Sequence, residues 1–403
     1  MRTGGTADAH CQETAYGEYI RCTAPVSAWE RALVGGGGFR NYSHTELPGV
    51  SAVRAVGARV PQEMAEHVAG MFLVADLPAD SGLRHGGGFR HQSARIAPLS
   101  AVGASADRGD AAKPYCQAHP CAFPATLNKV YNITSNDAKR HGSMSVFETS
   151  GQVMSPADLA LFEKTYGVPP HAVDTNVGGN SDDNTCKYLG FECGEANLDI
   201  QTIMAVAQNV DTTFWSTPKT TTFVHWITDM ANATHPPLVH SVSYGQLESE
   251  TDAASMQAFT NEAMKLGVRG VSVLVSSGDD GVAGPKARAS TGLCGYNPQW
   301  PASSPYVTTV GATEGPEVGK SEVACSANNS AYGGTFITSG GGFSATFGTP
   351  KYQTAAVAGF LKNPKENTLG PGYNAKGRAY PDVALIGHLY PIFVGGEAEV
   401  KDG

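Results

Sequence analysis

The sequence predicts an α/β fold with a doubly wound, mostly parallel sheet. Two short β-branched runs, at residues 238–245 (LVHSVSYG) and 271–278 (VSVLVSSG), end in small residues, as buried parallel strands do. Between them, residues 251–267 have the composition and apolar period of a helix. Strands that alternate with helices of this length form βαβ units, which build a parallel sheet covered by helices.

A second helix is predicted at residues 155–167 (SPADLALFEKTYG). Ser155 suits the N-cap, Pro156 the first helical position and Asp158 the first turn, and Gly167 closes the segment. These signals predict where the helix begins and where it ends.

The amino-acid composition changes along the chain and suggests three regions. Residues 1–98 are rich in Gly, Ala, Arg and Val, and residues 126–403 carry the α/β pattern. Residues 99–125 are small, polar and proline-punctuated, which indicates a linker or a processing segment. The first region contains two GGGFR runs, at residues 36–40 and 86–90. Neither run has the Lys-Ser/Thr ending of a phosphate loop, so we interpret both as flexible loops.

Composition narrows the class of protein. With 403 residues, 41% of them hydrophobic and 16% charged, the chain can bury a core for one large domain and a smaller one. A net charge of −9 argues against nucleic acid as a partner, because phosphate binding needs clustered Lys and Arg. The apolar stretches are shorter than the ~18–20 residues of a membrane span, so no membrane partner is predicted.

Cysteines and glycosylation sequons favour an oxidising, secretory-type compartment. The eight cysteines show no zinc-ligand spacing, several lie close together, and their pairing is left open. The cysteines singled out by spacing are Cys116 with Cys121, Cys186 with Cys193, and, further apart, Cys294 with Cys325. The four sequons begin at Asn41, Asn132, Asn232 and Asn328. The first 20 residues have no apolar signal-peptide region, so we expect the true N-terminus to lie upstream.

Glu195 and Asp199 form the first candidate site. Leu198, Ile203 and Met204 mark a mainly buried helix, and two carboxylates four residues apart share one face of it. A solvated acidic helix start is one interpretation, since carboxylates are favoured there. The other is a catalytic pair, in which one carboxylate acts as a base and the other tunes it.

Two glycine-containing segments are the other candidates. Asp279 follows the predicted strand at residues 271–278, where ligands bind in doubly wound sheets. It suits a simple turn, or a protonated carboxyl that donates to an oxyanion. Gly340, Gly341 and Gly342 allow close approach of a ligand or another strand, or a mobile loop.

Six sequence blocks occur in a fixed order along the chain. They are GEANLDIQTIMAVAQ, LVHSVSYG, VLVSSGDDG, WPASSPYVTTVGAT, SGGGFSATF and GRAYPDVA. This order resembles the catalytic domain of the sedolisin family of serine-carboxyl peptidases, closest to its tripeptidyl peptidases, and the resemblance runs from about residue 127 to 382. Residues 16–20, 26–33 and 39–44 also resemble the family's propeptide, here shortened.

The resemblance implies a subtilisin-like fold with a different catalytic set. Glu195 matches the general base, Asp199 the acid that orients it, and Asp279 the oxyanion-hole carboxyl. The substrate groove would be lined by Ser243, Tyr244, Gly245, Gly340, Gly341 and Gly342. A Glu base stays ionised in acid, where a His base is protonated, so we expect an acid-active peptidase acting on peptides or proteins.

One departure from the family is serious. The family's Gly-Thr-Ser block, which holds the nucleophile, should follow shortly after GRAYPDVA, but the sequence ends at Gly403 with no Gly-Thr-Ser anywhere. We therefore expect an incomplete chain, inactive as given, whose calcium site and closing helices also lie downstream. The resemblance also implies that the propeptide acts as an intramolecular inhibitor, and that the protein is lysosomal, vacuolar or secreted.

Two alternatives stay open. An ordinary subtilisin would use Asp174, His141 and a serine, but subtilisins place Asp before His and the order here is reversed. A non-catalytic peptide-binding or inhibitory protein would keep the groove without the serine. Sequence beyond Gly403 separates that second alternative from the peptidase.

Overall fold

The computed structural model describes residues 9–15, 17–35, 38–43, 51–74, 121–139, 141–149, 151–218, 221–289, 294–327, 329, 335–363 and 369–403. The helices are α1 Val26–Ala32, α2 Pro124–Val130, α3 Pro156–Tyr166, α4 Asp183–Tyr188, α5 Gly194–Val206, α6 Phe223–Asn232, α7 Ala253–Val268, α8 Lys286–Ala289 and α9 Thr354–Lys362.

The strands are short, as expected of a sheet built from βαβ units. They are β1 His10–Glu13, β2 Ile20–Thr23, β3 Val34–Gly35, β4 Arg40–Ser43, β5 Ser51–Arg54, β6 Ala58–Arg59, β7 Ser143–Glu148, β8 Thr175–Val177, β9 Asp211–Ser216, β10 Val239–Val242, β11 Gln246–Leu247, β12 Ser272–Ser276, β13 Gln299–Trp300, β14 Thr308–Glu314, β15 Val323–Ala324, β16 Gly342–Gly348, β17 Gly377–Tyr380, β18 Val383–Ile386, β19 Tyr390–Val394 and β20 Glu397–Lys401.

A central eight-stranded sheet confirms the predicted fold class. Its order is β15-β14-β12-β10-β7-β9-β8, with β18 also pairing with β14. Only the β14–β15 pair among these is antiparallel. The strands predicted at residues 238–245 and 271–278 are β10 and β12, which lie side by side with Val242 opposite Val275. Their carboxyl ends therefore meet at one edge of the sheet.

Alternating side chains of β7 divide the core between the two faces of the sheet. Met144 and Val146 pack with α3 and α5 on one face. Phe147, on the opposite face, packs with α6, α7 and the inner side chains of β10 and β12. The acid-bearing helix α5 and the pair α6–α7 thus cover opposite faces.

Local signals fixed the ends of α3 as predicted. The Ser155 side chain accepts a hydrogen bond from the Asp158 N–H at 3.0 Å, and Gly167 ends the helix with φ of 69°. The helix predicted at residues 251–267 is α7, capped by Asp252, whose carboxylate accepts from the Ser255 N–H at 2.8 Å. Both helix predictions are confirmed.

A C-terminal hairpin, β19–β20, holds α5 in place through buried polar groups. The Asn197 and Gln201 amides each donate to the Phe393 carbonyl at 2.9 Å, and Gln201 also accepts from the Phe393 N–H at 2.9 Å. At the hairpin turn, the buried Asp158 carboxylate accepts from the Gly395 and Gly396 N–H groups. These bonds join residues that lie between 192 and 238 positions apart in sequence.

The N-terminal residues form small antiparallel pairs, β1–β2, β3–β6 and β4–β5, beside helix α1. Lys265 on α7 contacts Glu18 at 3.0 Å, and Arg21 pairs with Asp229 on α6. This region therefore lies against the face opposite α5. The boundaries 1–98, 99–125 and 126–403 stay predictions; residues 75–120 lie outside the described residues, as does the GGGFR run at 86–90, and α2 begins at Pro124.

Cysteine pairing was left open by the sequence. Cys11 pairs with Cys22 and Cys186 with Cys193, and Cys121 is also disulfide-bonded. Cys294 and Cys325 are free thiols. Across the described part of the chain, no helix combines the length and apolarity that a membrane crossing requires.

We predict that buried His240 makes the fold lose stability in acid. Its Nδ1 bonds to Ser145 Oγ inside the sheet, and burial lowers its pKa to about 4, against about 6.5 when exposed. Because the folded state disfavours the charged ring, its stability contribution is present above pH ~6.5 and falls by about 3 kcal/mol as the pH drops towards ~4. Denaturant unfolding across this pH range should show a shallower loss for His240→Gln than for the parent.

The control is His235→Gln, which changes an exposed histidine. It should follow the parent's pH profile. Parallel profiles for all three proteins would contradict the assignment to His240.

Candidate active site

Glu195 and Asp199 lie one turn apart on α5, half-buried at the carboxyl edge of the sheet. The Glu195 N–H, in the first turn of the helix, donates to Gln152 Oε1 at 3.2 Å. The Ser243 hydroxyl, directly after β10, donates to Asp199 Oδ2 at 2.6 Å. The structure therefore brings the predicted acid pair together with a predicted groove residue.

A third carboxyl group, Glu148 at the end of β7, lies behind the pair. Its side chain is fully buried, and the Tyr244 hydroxyl donates to its Oε2 at 2.6 Å. Burial raises the pKa of Glu148 well above its usual value, and the charges of Asp199 and Glu195 raise it further. Glu148 therefore holds a proton under conditions in which the exposed acids of the chain are ionised.

Tyr244 belongs to this buried arrangement. Burial raises the pKa of its hydroxyl well above the usual value, and the neighbouring acids raise it further, so it stays a donor. The ring packs edge-on against Phe147, with centroids 5.7 Å apart. The Tyr244 side chain thus faces the core, while the backbone of Ser243 and Gly245 lies at the carboxyl edge of the sheet.

Asp279 lies in a turn that directly follows β12. Gly278, with φ of +93°, makes the turn, and the Asp279 carbonyl accepts from the Thr338 N–H at 2.8 Å. The Gly340 N–H donates to the Gly278 carbonyl at 2.6 Å. The glycine-rich segment 339–342 is therefore bound to the turn that carries Asp279.

Close packing explains the glycine at position 340. A Cβ atom there would lie 2.0 Å from the Ser277 carbonyl oxygen, which no side chain tolerates. Gly341 lies against Tyr380, and Gly342 begins β16, which pairs with β17. Gly340 thus lies close to the turn after β12 and Gly341 close to the Tyr380 backbone, while the predicted place of these glycines in a substrate groove stays a prediction.

Sequence reasoning missed Glu148 and Gln152. Glu148 ends a strand of buried residues, SMSVFE, and the rule that singled out Asp279 after β12 also applies to it. Gln152 gave no signal, because it reaches the first turn of α5 from a loop 43 residues away.

Metal binding finds no support among the residues with described structure, where no group of three His, Cys, Asp or Glu side chains is arranged to hold an ion. The calcium that the family resemblance implies was expected outside these residues and stays a prediction.

No family model matches the chain. It is 34% identical over 283 residues to tripeptidyl-peptidase 1 of Macaca fascicularis, covering 68% of this chain and 47% of that protein. Human tripeptidyl-peptidase 1 is 33% identical over the same length, and the Bos taurus protein is 28% identical over 396 residues. A Pseudomonas sedolisin complexed with pseudo-iodotyrostatin superposes with a TM-score of 0.52 at 22% identity, over 70% of this chain and 76% of that one.

The chain resembles the sedolisin family. It is similar to tripeptidyl-peptidase 1, as the order of its sequence blocks predicted. The solved sedolisin confirms the fold, with its mostly parallel sheet between helices. The chain spans about half the length of the tripeptidyl-peptidases it matches over 283 residues.

We predict that Glu148 makes stability fall as the pH rises. A carboxyl whose folded pKa is raised contributes fully below its unfolded pKa of about 4.3, and loses about 1.4 kcal/mol per pH unit above it until the folded pKa is reached. Glu148→Gln cannot ionise, so thermal unfolding from mild acid to neutral pH should show a smaller loss than in the parent. The control Glu13→Gln, on an exposed strand, should change nothing.

If Glu148→Gln and the parent lost stability equally between mild acid and neutral pH, Glu148 would already be ionised in the fold. The interpretation that Glu148 is protonated behind Glu195 and Asp199 would then be wrong.

Proposed function

We propose that this chain carries the carboxylates of an acid-active serine-carboxyl peptidase that releases tripeptides from the free N-termini of peptides or proteins. The observation that supports it most is the hydrogen bond from Ser243 to Asp199, with Glu195 one helical turn away and buried Glu148 behind. This arrangement makes a solvated acidic helix start the weaker interpretation.

Each predicted role has a physical basis. Glu195 would take the proton from the nucleophilic serine, and a carboxylate remains a usable base in acid. Asp199, held by Ser243, would orient Glu195. Asp279, protonated in acid, would donate to the oxyanion of the tetrahedral intermediate. An extended peptide would lie between Ser243–Tyr244–Gly245 and Gly340–Gly341–Gly342.

The nucleophile is proposed to come from sequence after Gly403. The Gly403 N–H donates to the Gly387 carbonyl at 3.1 Å, and a Cβ on Gly403 would lie 3.1 Å from Leu198 of α5. Residues that followed would therefore begin beside the helix of the acid pair. Val383 and Leu385 of β18 are 50% and 46% exposed, leaving apolar sheet surface for a covering helix. The 403 residues alone are proposed to be inactive.

The remaining family properties are also proposals. The N-terminal region would act as the inhibitory propeptide, and calcium would bind downstream of Gly403. Disulfides such as Cys186–Cys193 support a lysosomal, vacuolar or secreted location, since they persist in oxidising compartments.

A peptide-binding or inhibitory protein is the second candidate. It would keep the contact between Ser243 and Asp199 that the structure shows. Such a protein would bind peptides in the same crevice without acyl transfer. Reading the transcript past the Gly403 codon distinguishes the two.

We predict that Glu195→Gln in the full-length gene product lowers kcat for an unblocked peptide at least about 1000-fold, because serine then has no base. The matched control is Glu192→Gln, which changes a partly buried carboxylate just before α5. This variant should keep parental turnover. Asp279→Asn should keep part of the rate and shift the optimum towards higher pH, since an amide donates without needing a proton. Turnover of Glu195→Gln within tenfold of the parent would show that the base is wrongly assigned.

A further inference from the structure

A buried histidine, His388, lies in the loop between β18 and β19 and contacts two acids. Its Nδ1 hydrogen-bonds to Glu317 Oε1 at 2.7 Å, and its Nε2 lies 3.9 Å from Asp402 Oδ1. The His388 and Glu317 side chains are at most 1% exposed, and that of Asp402 is 4% exposed. Charges this far from water are costly unless they are paired, so the three groups, here called the His388 cluster, act as one electrostatic unit.

His388 is the cation of the cluster. Burial alone would lower the pKa of its ring, but the hydrogen bond with Glu317 and the neighbouring charges of Asp402 and Glu314 raise it above the usual value. Burial raises the pKa of Asp402, and the charge of His388 is among the influences that oppose this rise. In acid, the imidazolium therefore favours the ionised form of Asp402.

The other titratable groups that face the cluster do not supply this attraction. Burial raises the pKa of the Cys325 thiol and of the Tyr390 hydroxyl, so both are neutral in acid. Glu314, at the end of β14, is an acid whose Oε1 accepts from the Ser326 N–H at 3.0 Å. Glu317 raises the pKa of Asp402, because like charges repel. The attraction on the Asp402 carboxylate thus comes from His388.

Asp402 connects the cluster to the turn that carries Asp279. Its Oδ1 accepts from the Leu389 N–H at 3.0 Å and its Oδ2 from the Phe336 N–H at 2.8 Å. Leu389 has φ of 60°, a left-handed conformation that a leucine keeps only where its surroundings impose it. Two positions after Phe336, the Thr338 N–H donates to the Asp279 carbonyl at 2.8 Å. A short stretch of backbone therefore links the Asp402 carboxylate to the Asp279 turn.

We propose that His388 is a positioning residue of the peptidase, which acts through Asp402 to fix the turn of Asp279. The imidazolium, oriented by Glu317, attracts the Asp402 carboxylate, and the carboxylate keeps its two N–H donors in place. Asp402 also fixes the backbone that enters Gly403. The inference rests on the proposed function, since it deepens the account of the same site: Asp279 is the proposed oxyanion donor, and the nucleophile is proposed to follow Gly403.

The test is the steady-state kinetics of the full-length gene product on an N-terminally unblocked peptide across the acid pH range. Removing His388 alone would leave Glu317 buried and unpaired, so the variant is the double change Glu317→Gln/His388→Gln. In mild acid kcat should fall about 10- to 100-fold with KM within about twofold, since the reacting groups are displaced and the substrate contacts are not. The loss should be largest at the acid end and shrink as the pH rises, because Asp402 without the imidazolium ionises only at higher pH.

Asp402→Asn supplies a second measurement. If His388 acts through Asp402, adding Glu317→Gln/His388→Gln to Asp402→Asn should lower kcat by no more than about a further twofold. The matched control is His171→Gln, which removes a histidine that lies 3.3 Å from Asp174, outside the cluster. This control should keep the parental kcat and pH profile.

A loss of kcat in Glu317→Gln/His388→Gln that is equal at every pH, or that persists in full beside Asp402→Asn, overturns the inference, because the cluster would then be merely structural. Unchanged kinetics in that double variant, with an active parent, overturns it too and leaves the proposed function standing. Should the double variant not fold, Asp402→Asn decides: a lower kcat at unchanged KM supports the inference, and parental kcat overturns it. If the parent cleaves no peptide, the proposed function fails together with the inference.

Discussion

The position of the acid pair depends on the buried contact between α5 and the C-terminal hairpin. Asn197 and Gln201 bond to the Phe393 backbone on one side of α5, while Glu195 and Asp199 reach the crevice on another. Amides buried this deeply must be paired, so the helix has little freedom to slide or rotate against the strand. Ser243 can then meet Asp199 because β10, which delivers it, is fixed by its neighbours β7 and β12.

Acid affects this fold in two opposing ways. Glu148 is best tolerated when protonated, which favours low pH, whereas His240 is best tolerated when neutral, which favours high pH. Since the pKa of His240 is about 4, mild acid leaves that ring largely neutral while it protonates Glu148. The two buried groups together favour a window of mild acidity, which suits the proposed carboxylate chemistry.

Local sequence patterns predicted the ends of helices and the residues that share a helix face. Ser155 and Gly167 bounded α3, and the four-residue spacing of Glu195 and Asp199 placed them on one face of α5, one turn apart. The strand-end rule located Asp279. The features that the sequence did not predict depend on contacts between distant parts of the chain. The hairpin that holds α5 in place is one, and the Gln299 carboxamide against Gly278 is another. Glu148 lay within reach of the same strand-end rule but was passed over.

The central claim is that Glu195 and Asp199 serve acid peptide hydrolysis, and the products formed by the full-length gene product test it most directly. The protein would be incubated with an unblocked peptide over a range of pH, and the fragments identified by mass spectrometry. We predict tripeptides released from the N-terminus, with a rate that peaks in mild acid and vanishes at neutral pH. A transcript that continues into Gly-Thr-Ser, yet yields a protein that cleaves nothing in acid or cleaves best at neutral pH, would contradict this function.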